Sequence, residues 1–240
     1  MGDCRSNPGA MFDRIRKALT PVRQANGPTQ PPRAPTLRLA GLAAEWAAGQ
    51  GHTVATSSSG AATLAFEALV SGKAWRMELG RPGRKYIQGE ELRGRAELGI
   101  DPGVLVVVMN RPLMESLERQ AYALYTDSLQ TSADPNLPEE MRLLAMHEEV
   151  GWDSMPRSFW GRYAVVADDR HQAQAWIDAE LARLLMEWPE PAPSVQVPVL
   201  LMLLRGKAYL RMQQGAEALA ALQHATRIFT RACENALKAF

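Results

Sequence analysis

His147, Glu149 and Asp168 are the residues whose types and spacing could do chemistry. His147 and Glu149 alternate with Glu148, so an extended backbone would put both on one face. An imidazole beside carboxylates can bind a metal ion or move a proton near neutral pH. Asp168-Asp169-Arg170-His171 opens an amphipathic stretch, where an aspartate also serves as a helix cap. A site here has to be assembled by the fold, because nothing local completes it.

The remaining reactive types point away from catalysis. The four histidines share no metal-ligand spacing, and the two cysteines, Cys4 and Cys233, form no Cys-x-x-Cys pair. Cys233 lies on an apolar helical stripe, which suits packing better than reactivity. Ser57-Ser58-Ser59 has no base paired with it by sequence and reads as a turn. The glycine-rich signatures of dinucleotide and phosphate binding are absent, and so is the strand–turn–helix serine motif. No cofactor or catalytic group is therefore expected. The leading expectation is a non-catalytic accessory, adaptor or chaperone-like protein. The alternative is an enzyme or small-ligand binder built around His147, Glu149 and Asp168.

An interaction protein needs a surface, and the sequence offers three. From 74 to 98 the chain alternates Trp75, Met77 and Leu79 with Arg76 and Glu78, then Leu92, Gly94, Ala96 and Leu98 with Arg93, Arg95 and Glu97. Alternation of period two predicts a half-buried antiparallel pair. Its outer face carries Arg76, Glu78, Arg93 and Arg95, which suits an acidic partner. Trp152, Phe159 and Trp160 lie in a connection with proline and glycine and form a second candidate surface. The third is Met11–Leu19, where Phe12, Ile15 and Leu19 share a helical face beside Arg16 and Lys17. That pattern suits a small helix docking on a partner or a membrane surface.

Composition limits the partners. Residues 1–126 carry 16 basic and 11 acidic groups, residues 127–190 carry 5 and 13, and residues 191–240 carry 6 and 2. The acidic middle would repel phosphates, so nucleic acid is not expected. Arginine dominates over lysine by 22 to 5, the bias of a GC-rich, bacterial genome. No apolar window is long enough to cross a bilayer and no secretory leader is visible, so a cytoplasmic protein is expected, starting at Met1 or Met11.

The elements that must position these residues are suggested by a repeated unit. Val104–Met109, Asn110 and Arg111–Ser128 read as strand, cap and helix; Tyr163–Ala167, Asp168 and Asp169–Trp188 read the same way. Further strands are expected at Met141–Met146 and Val195–Leu204. Helices are expected at Leu37–Ala48, capped by Thr36, at Ala61–Val70, and at Ala216–Ala239. The expected class is α+β: a mixed sheet of about five to seven strands with helices packed on it. A flexible, Pro-rich basic arm would occupy residues 1–36 and a globular domain residues 37–240, with similar lobes at 37–130 and 139–240. The apolar stripe of the last helix must dock on its own sheet or on a second copy of the chain.

Overall fold

A computed structural model describes residues 34–55, 62–127, 138–190, 192–215 and 218–240. The expected docking helix at 11–19, with Phe12, Ile15, Arg16, Lys17 and Leu19, lies outside them, as do Cys4 and Ser57–Ser59.

The protein is α+β, with seven helices and an eight-stranded sheet among the described residues. The elements are α1 (Ala34–Gly49), β1 (Thr53–Ala55), β2 (Ala62–Val70), β3 (Lys73–Gly80), β4 (Glu90–Glu97), β5 (Val106–Asn110), α2 (Arg111–Asp127) and α3 (Glu139–Met146). They continue with α4 (Arg157–Arg162), β6 (Tyr163–Ala167), α5 (Arg170–Trp176), α6 (Ala179–Met186), β7 (Val199–Leu204), β8 (Lys207–Gln214) and α7 (Leu219–Ala239).

The strand order is β1-β2-β3-β4-β8-β7-β5-β6, and every neighbouring pair is antiparallel. The sheet is therefore antiparallel throughout rather than mixed, and has eight strands rather than five to seven. Two hairpins explain part of the order. Ser71-Gly72 and Arg205-Gly206 are two-residue turns with positive φ at both positions. That conformation matches the twist of the strands it joins. Gly206 is also packed tightly, because a Cβ there would sit 2.9 Å from the Ile100 carbonyl oxygen.

Residues 33–240 form one compact unit. Strands from 37–130 and 139–240 interleave within its sheet: β4 pairs with β8, and β5 lies between β7 and β6.

Three expected elements differ. Ala62–Val70 is a strand rather than a helix; Leu64, Phe66 and Val70 turn inward at alternate positions. Its alanines fit both periods, so the helical spacing misled. Met141–Met146 belongs to α3 rather than to a strand. Glu139 and Glu140 occupy the first turn, where carboxylates favour helix, and Met141 and Leu143 are buried. The stretch 169–188 is two helices, broken at Ile177-Asp178. Asp178 caps α6 by accepting from the Leu181 N–H at 2.8 Å, and Asp169, not Asp168, caps α5. Nor is Thr36 a cap, since α1 already begins at Ala34.

Asn110 also has a different job from the expected cap. Its side chain donates to the Val195 and Val197 carbonyls at 2.8 and 3.1 Å and accepts from the Val199 N–H at 2.9 Å. It clamps the chain as it enters β7.

The two sheet faces are covered unequally. One face meets α1, α5, α6 and α7 in a large core containing Phe66, Trp75, Met77, Leu210, Phe229 and Trp176. Here α7 buries Leu222, Ala225, Phe229, Ala232 and Ala236, so its stripe docks on the sheet of its own chain. Gly94 lets it approach: a Cβ would meet Met77 Sδ at 2.8 Å, Leu210 Cβ at 3.0 Å and Phe229 Cδ1 at 3.1 Å. On the opposite face α2 and α3 cover only the β6-β5-β7 end, packing Leu113, Leu117, Met141 and Leu143 on Val107, Met109, Leu200 and Met202. The residue pattern dictates this, since the same face of β3, β4 and β8 presents arginine and glutamate.

Candidate interaction face

The uncovered half of the sheet is a charged grid set by strand register. One row runs Glu67, Arg76, Arg95 and Tyr209 across β2, β3, β4 and β8. The next runs Ala65, Glu78, Arg93 and Arg211. Glu97 and Lys207 face each other in a third. Among the described helices, α3 meets these rows at Arg211, through Glu140. The rows floor an open trough of about 550 Å³.

Ion pairs knit the rows together. Arg76 bonds Glu67, and its Nε donates to Glu78 at 2.7 Å. Arg93 reaches the other Glu78 oxygen at 3.2 Å. Glu97 takes Arg95 at 2.5 Å and Lys207 at 3.0 Å, and these hydrogen bonds hold its carboxyl below the usual range. Its hydrogen bonds to Glu78 and Glu67 likewise raise the Arg76 guanidinium. Arg95 is 59% exposed and Glu97 58% exposed, so this pair contributes little to stability. Two contacts work against the fold: Arg76 lies directly opposite Arg95, and Arg93 directly opposite Arg211. Like charges in such positions destabilise a sheet. The Nε of Arg93 is buried with no hydrogen-bond partner.

Where the charged and apolar halves meet, the structure holds a network that the sequence did not announce. Glu91 and Glu140 are fully buried carboxylates. Arg211 pairs with Glu91 and approaches Glu140 at 3.6 Å. Arg84 Nε donates to both Glu140 oxygens at 2.8 and 3.0 Å, and the Tyr86 hydroxyl donates at 3.2 Å. Burial and then the Glu140 charge push the Tyr86 phenol far up, so it stays protonated and a donor. The network ties α3 and the 81–89 connection to β4 and β8.

The other sequence candidates are placed as follows. His147 and Asp168 do meet, with Nδ1 and Oδ1 2.5 Å apart. Glu149 lies two residues on, where residues 148–150 run antiparallel to β6, but its carboxylate bonds Arg111 at 2.6 Å. The three thus divide between two separate pairs instead of converging. Among the described residues no group of three or more His, Cys, Asp or Glu could hold a metal ion. Trp152 and Trp160 make an edge-on pair with centroids 5.0 Å apart, half-buried beside Arg111 and Glu149. Phe159 is 1% exposed and packs on Trp160 and Tyr163, so it belongs to the core and is no surface residue. Aromatic type alone could not separate it from its two neighbours. A second cavity, of about 610 Å³, opens between α4 and α6, lined mainly by Trp152, Met155, Ile177, Ala182 and Met186.

Among the described residues no helix is long and apolar enough to cross a membrane. No protein-family model matches the chain, and no curated protein does. Among solved structures, the mycobacterial trehalose monomycolate transport factor A, TtfA, is similar to it. That likeness has a TM-score of 0.44 at 10% identity and covers 85% of this chain and 97% of the other. A likeness of this size carries no argument about function.

Proposed function

We propose that this chain is a non-catalytic interaction protein, of accessory, adaptor or chaperone-like kind, that engages a protein partner through the uncovered half of its sheet. The observation carrying this reading is that one sheet face is sealed by helices at its apolar end and left uncovered by the described residues at its charged end. There, arginines stand opposite arginines. A surface with only solubility to serve gains nothing from opposed like charges, whereas an interface can use them for steering and partner choice. The distribution of His147, Glu149 and Asp168 over two separate pairs supports the same reading. A cytoplasmic, reducing setting in a bacterial host completes it, in keeping with the buried free thiol of Cys233.

The test is stoichiometric co-purification from the native host with three forms of the full chain: wild type, Arg95→Glu and Arg183→Glu. Both arginines are exposed and paired to glutamate, Arg95 on the bare face and Arg183 on α6. Selective loss of a stoichiometric partner from Arg95→Glu supports the reading. Equal retention by all three forms, or no partner on any, overturns it.

A second reading rests on the apolar cavity between α4 and α6, whose size suits a small hydrophobic molecule. Saturable thermal stabilisation by such a molecule, abolished by Ala182→Trp, would favour it.

A further inference from the structure

Resting on the interaction reading above, we infer that the partner presents an acidic α-helix, laid on β3, β4 and β8 beside α3, with carboxylates one helical turn apart on Arg93 and Arg95.

The chain itself shows how such a helix docks. The first turn of α3 carries Glu139 and Glu140. Glu139 pairs with Arg205 at 3.1 Å, and Glu140 settles among Arg84, Tyr86 and Arg211. Acidic helical residues thus already meet arginines at the border of the bare face. Beyond that border the same face goes on with Arg93, Arg95 and Arg76, and no described helix continues the layer. A partner helix would extend the layer over the rest of the sheet.

Spacing and donors fit this occupant. Arg93 and Arg95 are two residues apart on β4, about 6.8 Å along the strand. Residues i and i+4 of a helix rise about 6 Å, so two carboxylates on one helix face match the two guanidiniums. Arg93 bonds Glu78 through Nη2 at 3.2 Å and keeps 24% of its side chain exposed, so an incoming carboxylate can approach it and screen it from Arg211. Leu69, 70% exposed at the rim, offers an apolar contact for the helix. The interleaved Glu67, Glu78 and Glu97 argue against a continuous polyanion. They would repel a phosphate backbone, while leaving room for carboxylates at fixed intervals.

The experiment uses fluorescence anisotropy of the full chain with an alanine-based helical peptide of roughly 18 residues, bearing glutamates at successive i, i+4 positions. One control peptide replaces the glutamates with glutamine. Another keeps the composition but is broken by central prolines. We expect saturable binding, weakened about tenfold in the glutamine and proline peptides and in Arg95→Glu, and unaffected by Arg183→Glu. A lysine-for-glutamate peptide should regain affinity for Arg95→Glu, which excludes misfolding as the cause of its loss. Equal binding by the proline peptide would overturn the helical occupant. If no acidic peptide binds while the host partner still depends on Arg95, the acidic-helix inference fails and the docking face stands. If the host partner ignores Arg95 as well, both fail.

Discussion

Removing the Glu140 carboxylate should cost this fold several kcal/mol, although Glu140 is one charged residue on a short helix. The side chain is fully buried and receives two hydrogen bonds from Arg84 and one from Tyr86, with Arg211 at 3.6 Å. Glu140→Ala strands these donors. Breaking one side of a buried pair costs about 3–5 kcal/mol. Arg84 keeps a quarter of its side chain in solvent and can partly rehydrate, which places the expected loss near the low end, about 3 kcal/mol. For a unit of this size that is a fall in Tm of roughly 6–12 °C. Urea denaturation of Glu140→Ala should show a lower midpoint at unchanged slope. Arg95→Ala, on the exposed grid, should move it by less than about 0.5 kcal/mol. The double variant Glu140→Met/Arg84→Met should recover part of the loss, because no charge is left stranded at that pair. A loss below about 1 kcal/mol for Glu140→Ala would show the network to be solvated, and the account of how α3 is anchored would be wrong.

Gly94→Ala should destabilise by about 1–3 kcal/mol, since its Cβ overlaps Met77, Leu210 and Phe229; Gly41→Ala, in open space on α1, should be neutral or stabilising in the same melt. Asn110→Ala leaves two carbonyls and one N–H without their side-chain partner, and should cost about 1–3 kcal/mol by chemical denaturation; a change within error would mean that water replaces the clamp. Acid should weaken the fold below about pH 6.5. Burial lowers both His52, among Trp46, Phe66 and Trp75, and His224, whose Nε2–H donates to the Leu184 carbonyl while Nδ1 faces Arg227. The unfolded chain then binds protons first, so this stability is full above the unfolded value and is lost as pH falls through the folded values. Urea midpoints should drop between pH 7.5 and 5, less steeply in His224→Gln; a flat profile would contradict the burial argument.

What could be read from the chain was whatever repeats within a few residues. Trp75, Met77 and Leu79 against Arg76 and Glu78 gave strand, burial and the charged face together, whereas the opposition of Glu78 and Arg93 depends on the length of the 81–89 connection. The stripe of α7 was equally plain, because its period runs through many turns. Short apolar runs were ambiguous. Met141–Met146 shows too few residues to reveal a period, and the alanines of β2 fit either one. Arg211 joined the site only through the β4–β8 pairing, and Glu91 meets it across 120 residues of chain. Glu140 meets Arg84 across 56. No local pattern encodes such a meeting. That the described helices would leave half of one face uncovered was also hidden, because it depends on where α2 and α3 come to rest.

The most direct test of the docking face is site-resolved photo-crosslinking in the native host. A benzophenone side chain at position 95 samples the bare face, and one at position 183 samples the helical layer. The account predicts one discrete adduct from position 95, identified as a single protein, and none from position 183. Equal adducts from both positions, or none from position 95 in a host that expresses the chain, would contradict it.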